Sequence, residues 1–275
     1  PAGDAASSDA PKTGGLCGDA PSLDKRKLVT DERVSVVLSG MSLTEKIEQM
    51  AGGLPFADML RAPDNERANI RGFRFRDGPR GMRVEEGNAT CFPVSVARAA
   101  TWDPGLEEAV GAAIAAEVRG LDHNCLLAPT INTLRHPGWG RAQETYGEDP
   151  WLLGVMGIAF TKGGQQHVPL CVKHFAGNNI EDTRMTNNAI VDEQSLRENY
   201  TRQFEMVVKE ADAACVMSAY NKLNGTYCSE NAPLLRDLLK EEWGFDGFVV
   251  SDWFAAKTTV ESALGGLDVE MPWRQ

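Results

Sequence analysis

Asp252 closes an apolar run in GFVVSDWFA (247–255) and is followed by Trp253. A carboxylate at the mouth of a strand can attack an electrophilic carbon and hold a covalent intermediate. A neighbouring indole face suits the C–H face of a pyranose. The competing reading is plainer, because Asp after a strand is also a good helix N-cap. Lys173 and His174 are adjacent in VKHFAGNN (172–179). Strand alternation sends neighbours to opposite faces, so the two reach one ligand only if the strand has ended. They would then donate to vicinal hydroxyls; otherwise they are a salt-bridged lysine and a satisfied histidine. Asp77 lies in RDGPRGMR (76–83), a turn signal whose carboxylate could accept from two hydroxyls, with Arg83 to neutralise it. Arg141 sits in the loop GWGRAQETYGEDP (138–150), with Glu144 and Glu148 as candidate partners. A surface pair there would be worth little, and neither those two glutamates nor Asp149 is favoured as an acid/base group.

Short apolar runs must position these residues. The segments 125–128, 168–172, 214–218 and 247–251 are continuously apolar, as strands covered on both faces are. Amphipathic stretches alternate with them. Ser42 and Glu45 have capping-box spacing for a helix through Met50. Asp103 and Pro104 open a helix that Gly120 ends. Leu106, Val110, Ile114 and Val118 share one face of it, and Glu107 and Glu108 complement its dipole. Further helices are expected over 193–211, with Leu196, Tyr200, Phe204, Val207 and Val208 inward, and over 233–243, stopped by Gly244. Alternation of this kind implies parallel βαβ units, and polar residues at the ends of the runs suit the active face of an α/β barrel.

The 275 residues suit one large α/β barrel or two small domains, and residues 1–24, rich in Ala, Gly, Ser, Asp and Pro, read as a flexible leader or linker. A formal net charge of -11 argues against a nucleic-acid partner, which needs a basic footprint. No run approaches the roughly 20 apolar residues of a membrane span. The six cysteines form no CxxC pair, which disfavours metal or redox motifs. Cys125 and Cys171 read as buried thiols, while Cys215 and Cys228 flank a polar loop and could pair in an oxidising compartment.

Seven motifs in one order then carry a resemblance. They are DGPRGMR (77–83), TWD (101–103), GWGR with ETYGEDP through Pro150, KHFAGNN (173–179), VMSAYNKLNG (216–225), GFVVSDW (247–253) and GLDVEMP (266–272). Together they resemble glycoside hydrolase family 3 from about Ser42 to Pro272. The resemblance implies a (β/α)8 TIM-like barrel over 25–275, incomplete at its C-terminus, from a secreted or periplasmic β-glucosidase. Asp252 matches the family's nucleophile. Asp77, Arg83, Arg141, Lys173, His174, Met217, Tyr220 and Trp253 match positions that line the pocket for the non-reducing sugar. The implied reaction is retaining hydrolysis of terminal β-D-glucosyl residues, with no metal or organic cofactor. An Asp at position 77 suits glucose, whose C6 hydroxyl it would hold, and KHFAGNN lacks the second histidine of the N-acetylglucosaminidase branch. Members normally continue into a second α/β domain that supplies the acid/base carboxylate, so the chain is expected to be part of a larger product and to hydrolyse poorly alone. Two other functions compete: an aldolase barrel with Lys173 forming a Schiff base, and a non-catalytic sugar-binding fragment.

Overall fold

The computed structural model describes residues 23–53, 59–85 and 87–272. Of the leader expected over 1–24, residues 1–22 lie outside the described residues, while Leu23 and Asp24 already belong to a helix. The chain divides into two compact units, Pro1–Ser42 and Leu43–Gln275. In the first, the described structure is helix α1, Leu23–Gly40.

The second unit begins with α2, Leu43–Gln49, where the capping-box spacing put a helix. Then come β1 (Phe75–Asp77), α3 (Ser95–Ala99), α4 (Pro104–Gly120), β2 (Cys125–Leu127), α5 (Pro150–Gly164) and β3 (Cys171–Phe175). They are followed by β4 (Asn188–Ala189), α6 (Glu193–Ser195), α7 (Arg202–Ala211), β5 (Cys215–Ser218), β6 (Lys222–Leu223), β7 (Thr226–Tyr227), β8 (Phe248–Ser251) and α8 (Val260–Gly265). The stretch expected as one helix over 193–211 is α6 and α7 joined by a π-turn, Leu196–Tyr200. The helix expected over 233–243 is wound as a π-helix, Pro233–Glu242, with Leu234, Leu235, Leu238 and Leu239 buried.

The long strands are parallel. β1 pairs with β2, and β5 lies between β3 and β8. Parallel bridges Leu126–Leu170 and Thr130–Lys173 join β2 to the β3 region, and Val250–Val269 and Ala51–Glu270 carry the series onward. This is the α/β barrel type, although the named sheets do not close into a ring among the described residues.

Strand parity explains the apolar runs. Phe75, Cys125, Leu127, Cys171, Cys215, Met217 and Val250 form one cluster inside the strands. The alternate residues Leu126, Val172, Val216 and Val249 pack instead into the clusters that contain helix residues. With both faces covered, neither face of a strand can be polar.

Several side-chain expectations need correction. Asp103 does cap α4, its Oδ1 accepting from Leu106 N at 3.0 Å, and Val110, Ile114 and Val118 are buried. Leu106, however, is exposed, and Glu107 is buried at 1% exposure, so the helix turns a polar residue inward one position after the expected apolar one. Cys215 is bonded to Cys171, not to Cys228. The two are register partners on β3 and β5, with Cα atoms 4.2 Å apart. Cys228 is a buried thiol, pushed up to about 12 by burial, and its Sγ faces the Ala176 carbonyl at 3.4 Å.

Candidate active site

The parity that builds the interior also builds the site. Two residues beyond Phe75, the same face of β1 presents Asp77; two beyond Cys171, β3 presents Lys173; and Met217 follows Cys215 on β5. The register sets Lys173 opposite Met217 and Asp77 opposite Leu127. Asp252 comes two residues after Val250, just past the end of β8. Apolar side chains fill the lower layers, and polar ones take over at the C-terminal end.

Those polar ends line a cavity of about 830 Å³. All nine residues singled out from the sequence are there: Asp252 and Trp253 from the end of β8, Lys173 and His174 from β3, Met217 and Tyr220 from β5 and its loop, and Asp77, Arg83 and Arg141 from the other side. The cap reading of Asp252 does not hold, since the next helix starts only at Val260. Its Oδ1 accepts from the Trp253 N–H at 2.7 Å.

The expectation for Lys173 and His174 needs a correction of its own. The strand does not end before them; β3 runs through Phe175. They share the cavity because the register with β5 slips between Lys173 and Phe175, which breaks the alternation at that point.

The two aspartates differ in their surroundings. Lys173 Nζ donates to Asp77 Oδ1 at 2.8 Å. Burial raises the Asp77 carboxyl, but the Lys173 charge and hydrogen bond, helped by Arg141 and Arg83, hold it below the ordinary carboxylate range. Asp252 is 7% exposed, and its Oδ2 has no hydrogen-bond partner among the described residues. Burial raises its proton affinity, and the Lys173 charge, the Tyr220 hydroxyl beside it, the Trp253 N–H and Arg141 only partly oppose this. Burial and the Asp252 charge in turn push the Tyr220 phenol up, so it stays a hydroxyl donor.

His174 Nε2 lies 3.6 Å from Asp252 Oδ2, but no ion pair forms there. Burial, then Arg141, Lys173 and Arg184, hold the imidazole well below its ordinary value, so it is neutral. Arg141 Nη1 sits 2.9 Å from His174 Nε2, and a guanidinium can only donate. Nε2 is therefore the acceptor and Nδ1 carries the proton, directed at Asn132 Oδ1 at 3.3 Å. Asn132 fixes the same residue through its backbone, accepting from His174 N at 2.8 Å and donating to His174 O at 2.8 Å. Arg141 is forked onto Glu144 at 3.0 and 2.7 Å, which settles which acidic neighbour it takes. Glu148 lines a different depression, and Asp149 caps α5 through the Trp151 N–H at 2.9 Å.

Sequence reasoning missed Arg184 and Glu181, which also line the cavity. Arg184 stacks over the Tyr220 ring at 4.6 Å and pairs with Glu181 at 2.8 Å, and Trp139 Nε1 donates to Glu181 at 3.1 Å. They lie a few residues beyond KHFAGNN in NIEDTR, where neither periodicity nor a turn signal marks them. Trp253 is oriented by its Nε1–H, which donates to the Met59 carbonyl at 2.6 Å, and by an edge contact with Phe75.

Parallel strands, helices between them and a polar cavity at the strand ends define an α/β-barrel domain with a charged pocket at its C-terminal face. The chain matches the glycosyl hydrolase family 3 N terminal domain over residues 10–268, and it belongs to that family. It is 44% identical over 246 residues to a beta-glucosidase of Rhizobium radiobacter, covering 86% of this chain and 30% of the relative. It is 43% identical over 251 residues to thermostable beta-glucosidase B of Acetivibrio thermocellus, covering 87% and 33%. Among solved structures, beta-glucosidase 3B of Thermotoga neapolitana in complex with glucose superposes with a TM-score of 0.84 at 43% identity, over 87% of this chain and 36% of that one. The chain thus spans about a third of the length of these relatives.

Proposed function

We propose that this domain carries the sugar-binding and nucleophilic half of a retaining β-glucosidase, acting on terminal non-reducing β-D-glucosyl residues. The observation that carries the reading is the unpartnered Asp252 Oδ2, buried in a cavity ringed by groups able to bind sugar hydroxyls. Asp252 attacks the anomeric carbon and forms a glycosyl-enzyme ester, which water later cleaves. Asp77 accepts hydroxyl protons, Lys173, Arg141 and Arg184 donate to hydroxyl oxygens, and Trp253 offers an apolar face. The Tyr220 hydroxyl steadies the Asp252 carboxylate before attack.

Retention needs a second carboxyl about 5–5.5 Å from the nucleophile to protonate the leaving group. The cavity also holds Glu85 and three carboxylates already engaged by a cation: Asp77 by Lys173, Glu144 by Arg141 and Glu181 by Arg184. We assign that role to a part of the protein outside these 275 residues, in keeping with the greater length of the relatives. The glucose specificity follows the relatives' names together with the carboxylate at position 77. The same contacts weigh against a Schiff-base reading, because Lys173 Nζ is engaged by Asp77 and does not stand free as a nucleophile.

An activated 2-deoxy-2-fluoroglucoside tests the reading without the missing acid, because its leaving group needs little protonation. The chain should gain one fluoroglucosyl mass, and the Asp252→Asn variant should gain none. Equal labelling of that variant, or none of the wild type, would remove the proposal.

A further inference from the structure

Arg98, Glu107 and Tyr146 form a buried charged cluster that does not line the cavity. All three are buried, at 3%, 1% and 1% exposure. Arg98 Nε and Nη2 donate to the Glu107 carboxylate at 2.7 and 3.0 Å, and the Tyr146 hydroxyl donates to Glu107 Oε1 at 2.6 Å. Burial and the Glu107 charge hold the Tyr146 phenol well above its ordinary value, so it remains the donor. A buried ion pair is a poor route to stability, since desolvating both charges costs about as much as their attraction returns. Its contribution is better sought in geometry.

The cluster reaches both polar walls of the site. On one side, Arg98 Nη2 donates to the Pro79 carbonyl at 2.8 Å and Nη1 to the Pro93 carbonyl. Pro79 stands in the turn that carries Asp77 and Arg83, closed by Arg83 N on Asp77 O at 2.9 Å and docked by Phe92 N on Arg80 O at 2.7 Å. Gly81 completes that turn with φ 139°, and a Cβ there would lie 2.2 Å from the Thr90 carbonyl, so the turn is seated tightly on the 90–98 segment. On the other side, Tyr146 belongs to the loop of Arg141 and Glu144. Its neighbour Thr145 donates to the Asn132 carbonyl at 2.5 Å, and Asn132 in turn clamps His174. One buried chain of contacts therefore runs from the Asp77 turn to His174.

We infer that Arg98, Glu107 and Tyr146 are positioning residues that lock the Asp77 turn and the Arg141 loop into one arrangement, so that the sugar meets both walls in register. The inference concerns these loops and stands apart from which sugar is bound.

Tyr146→Phe tests it most cleanly, because the ring stays and only the hydroxyl leaves. Leu239→Ala, at a fully buried position of the 233–242 helix and outside both loops in sequence, is the control for plain destabilisation. In the full chain, well below its unfolding midpoint, Tyr146→Phe should speed amide exchange at Arg83 and Phe92, and it should weaken glucose binding by about 10-fold, on the order of one charge-assisted hydrogen bond held out of register. Leu239→Ala should lower the midpoint and do neither. Glu107→Gln should exceed Tyr146→Phe on both counts; if it does not fold, Tyr146→Phe decides. Behaviour of Tyr146→Phe matching that of Leu239→Ala would overturn the inference. A wild type that takes up no glucose would instead sink the glucosidase reading, while exchange at Arg83 and Phe92 would still judge the positioning role.

Discussion

Two aspartates line the same cavity, one at the end of β1 and one after β8, and their proton affinities shift in opposite directions. Asp77, partly exposed as the last residue of β1, has an ammonium 2.8 Å away and is held in its charged form. Asp252, beyond β8, is more deeply buried, has one oxygen without a partner, and holds its proton more tightly than an ordinary carboxyl. The difference lies in placement, since the residue type is the same. A carboxylate matched to a cation is fixed and suited to gripping hydroxyls. One left partly unmatched in a dry site keeps a free lone pair for attack.

Exchanging each aspartate for asparagine separates the roles. Asp252→Asn should abolish covalent labelling, a loss on the order of 10⁴-fold or more, as for other nucleophile-site deletions, while glucose still binds. Asp77→Asn should do the reverse: labelling still occurs at saturating ligand, but glucose binding weakens by roughly 10-fold to 100-fold, the worth of a charge-assisted hydrogen bond. Saturation kinetics of labelling, beside calorimetry with glucose, distinguish the outcomes. Equal effects of the two substitutions on both quantities would erase the comparison.

A subtler consequence concerns pH. On the proposed mechanism attack needs Asp252 ionised, so the acid limb of the labelling rate should lie above the ordinary aspartate value of about 3.9. Lys173 is the largest influence opposing burial at Asp252, so Lys173→Met should move that limb further up. For stability the sign is the opposite of the usual carboxylate case. The folded state binds this proton more readily than the unfolded chain, so the Asp252 contribution favours folding at low pH and fades as pH rises through the raised value. At Asp77, the lowered folded value gives stability that is present near neutrality and lost on acidification. An acid limb at the ordinary value, unmoved by Lys173→Met, would contradict this account.

Much of the site was legible because strand parity links sequence to side-chain direction. Asp77 and Lys173 sit two residues beyond apolar inward positions, and Asp252 and Trp253 directly follow an apolar run. Other features depended on information that no local pattern carries. His174 joins Lys173 only through a register slip between paired strands. The Cys171–Cys215 bond follows from strand register, whereas Cys228 is nearer to Cys215 in sequence and has no part in it. Glu107 looked like a residue complementing the helix dipole, because a first-turn acidic residue has the same signature whether it faces solvent or a buried arginine. Arg184 lies in an irregular polar segment, and its role is set by the Tyr220 ring it covers.

The central claim is that Asp252 Oδ2 is the atom left free to attack while Asp77 stays paired. A crystal structure of the chain trapped with the activated 2-deoxy-2-fluoroglucoside tests it most directly. The account predicts a bond from the anomeric carbon to Asp252 Oδ2, with the Asp77–Lys173 contact intact and both groups on the sugar hydroxyls. A sugar bonded to any other side chain, or seated with Asp252 turned out of the cavity, would contradict it.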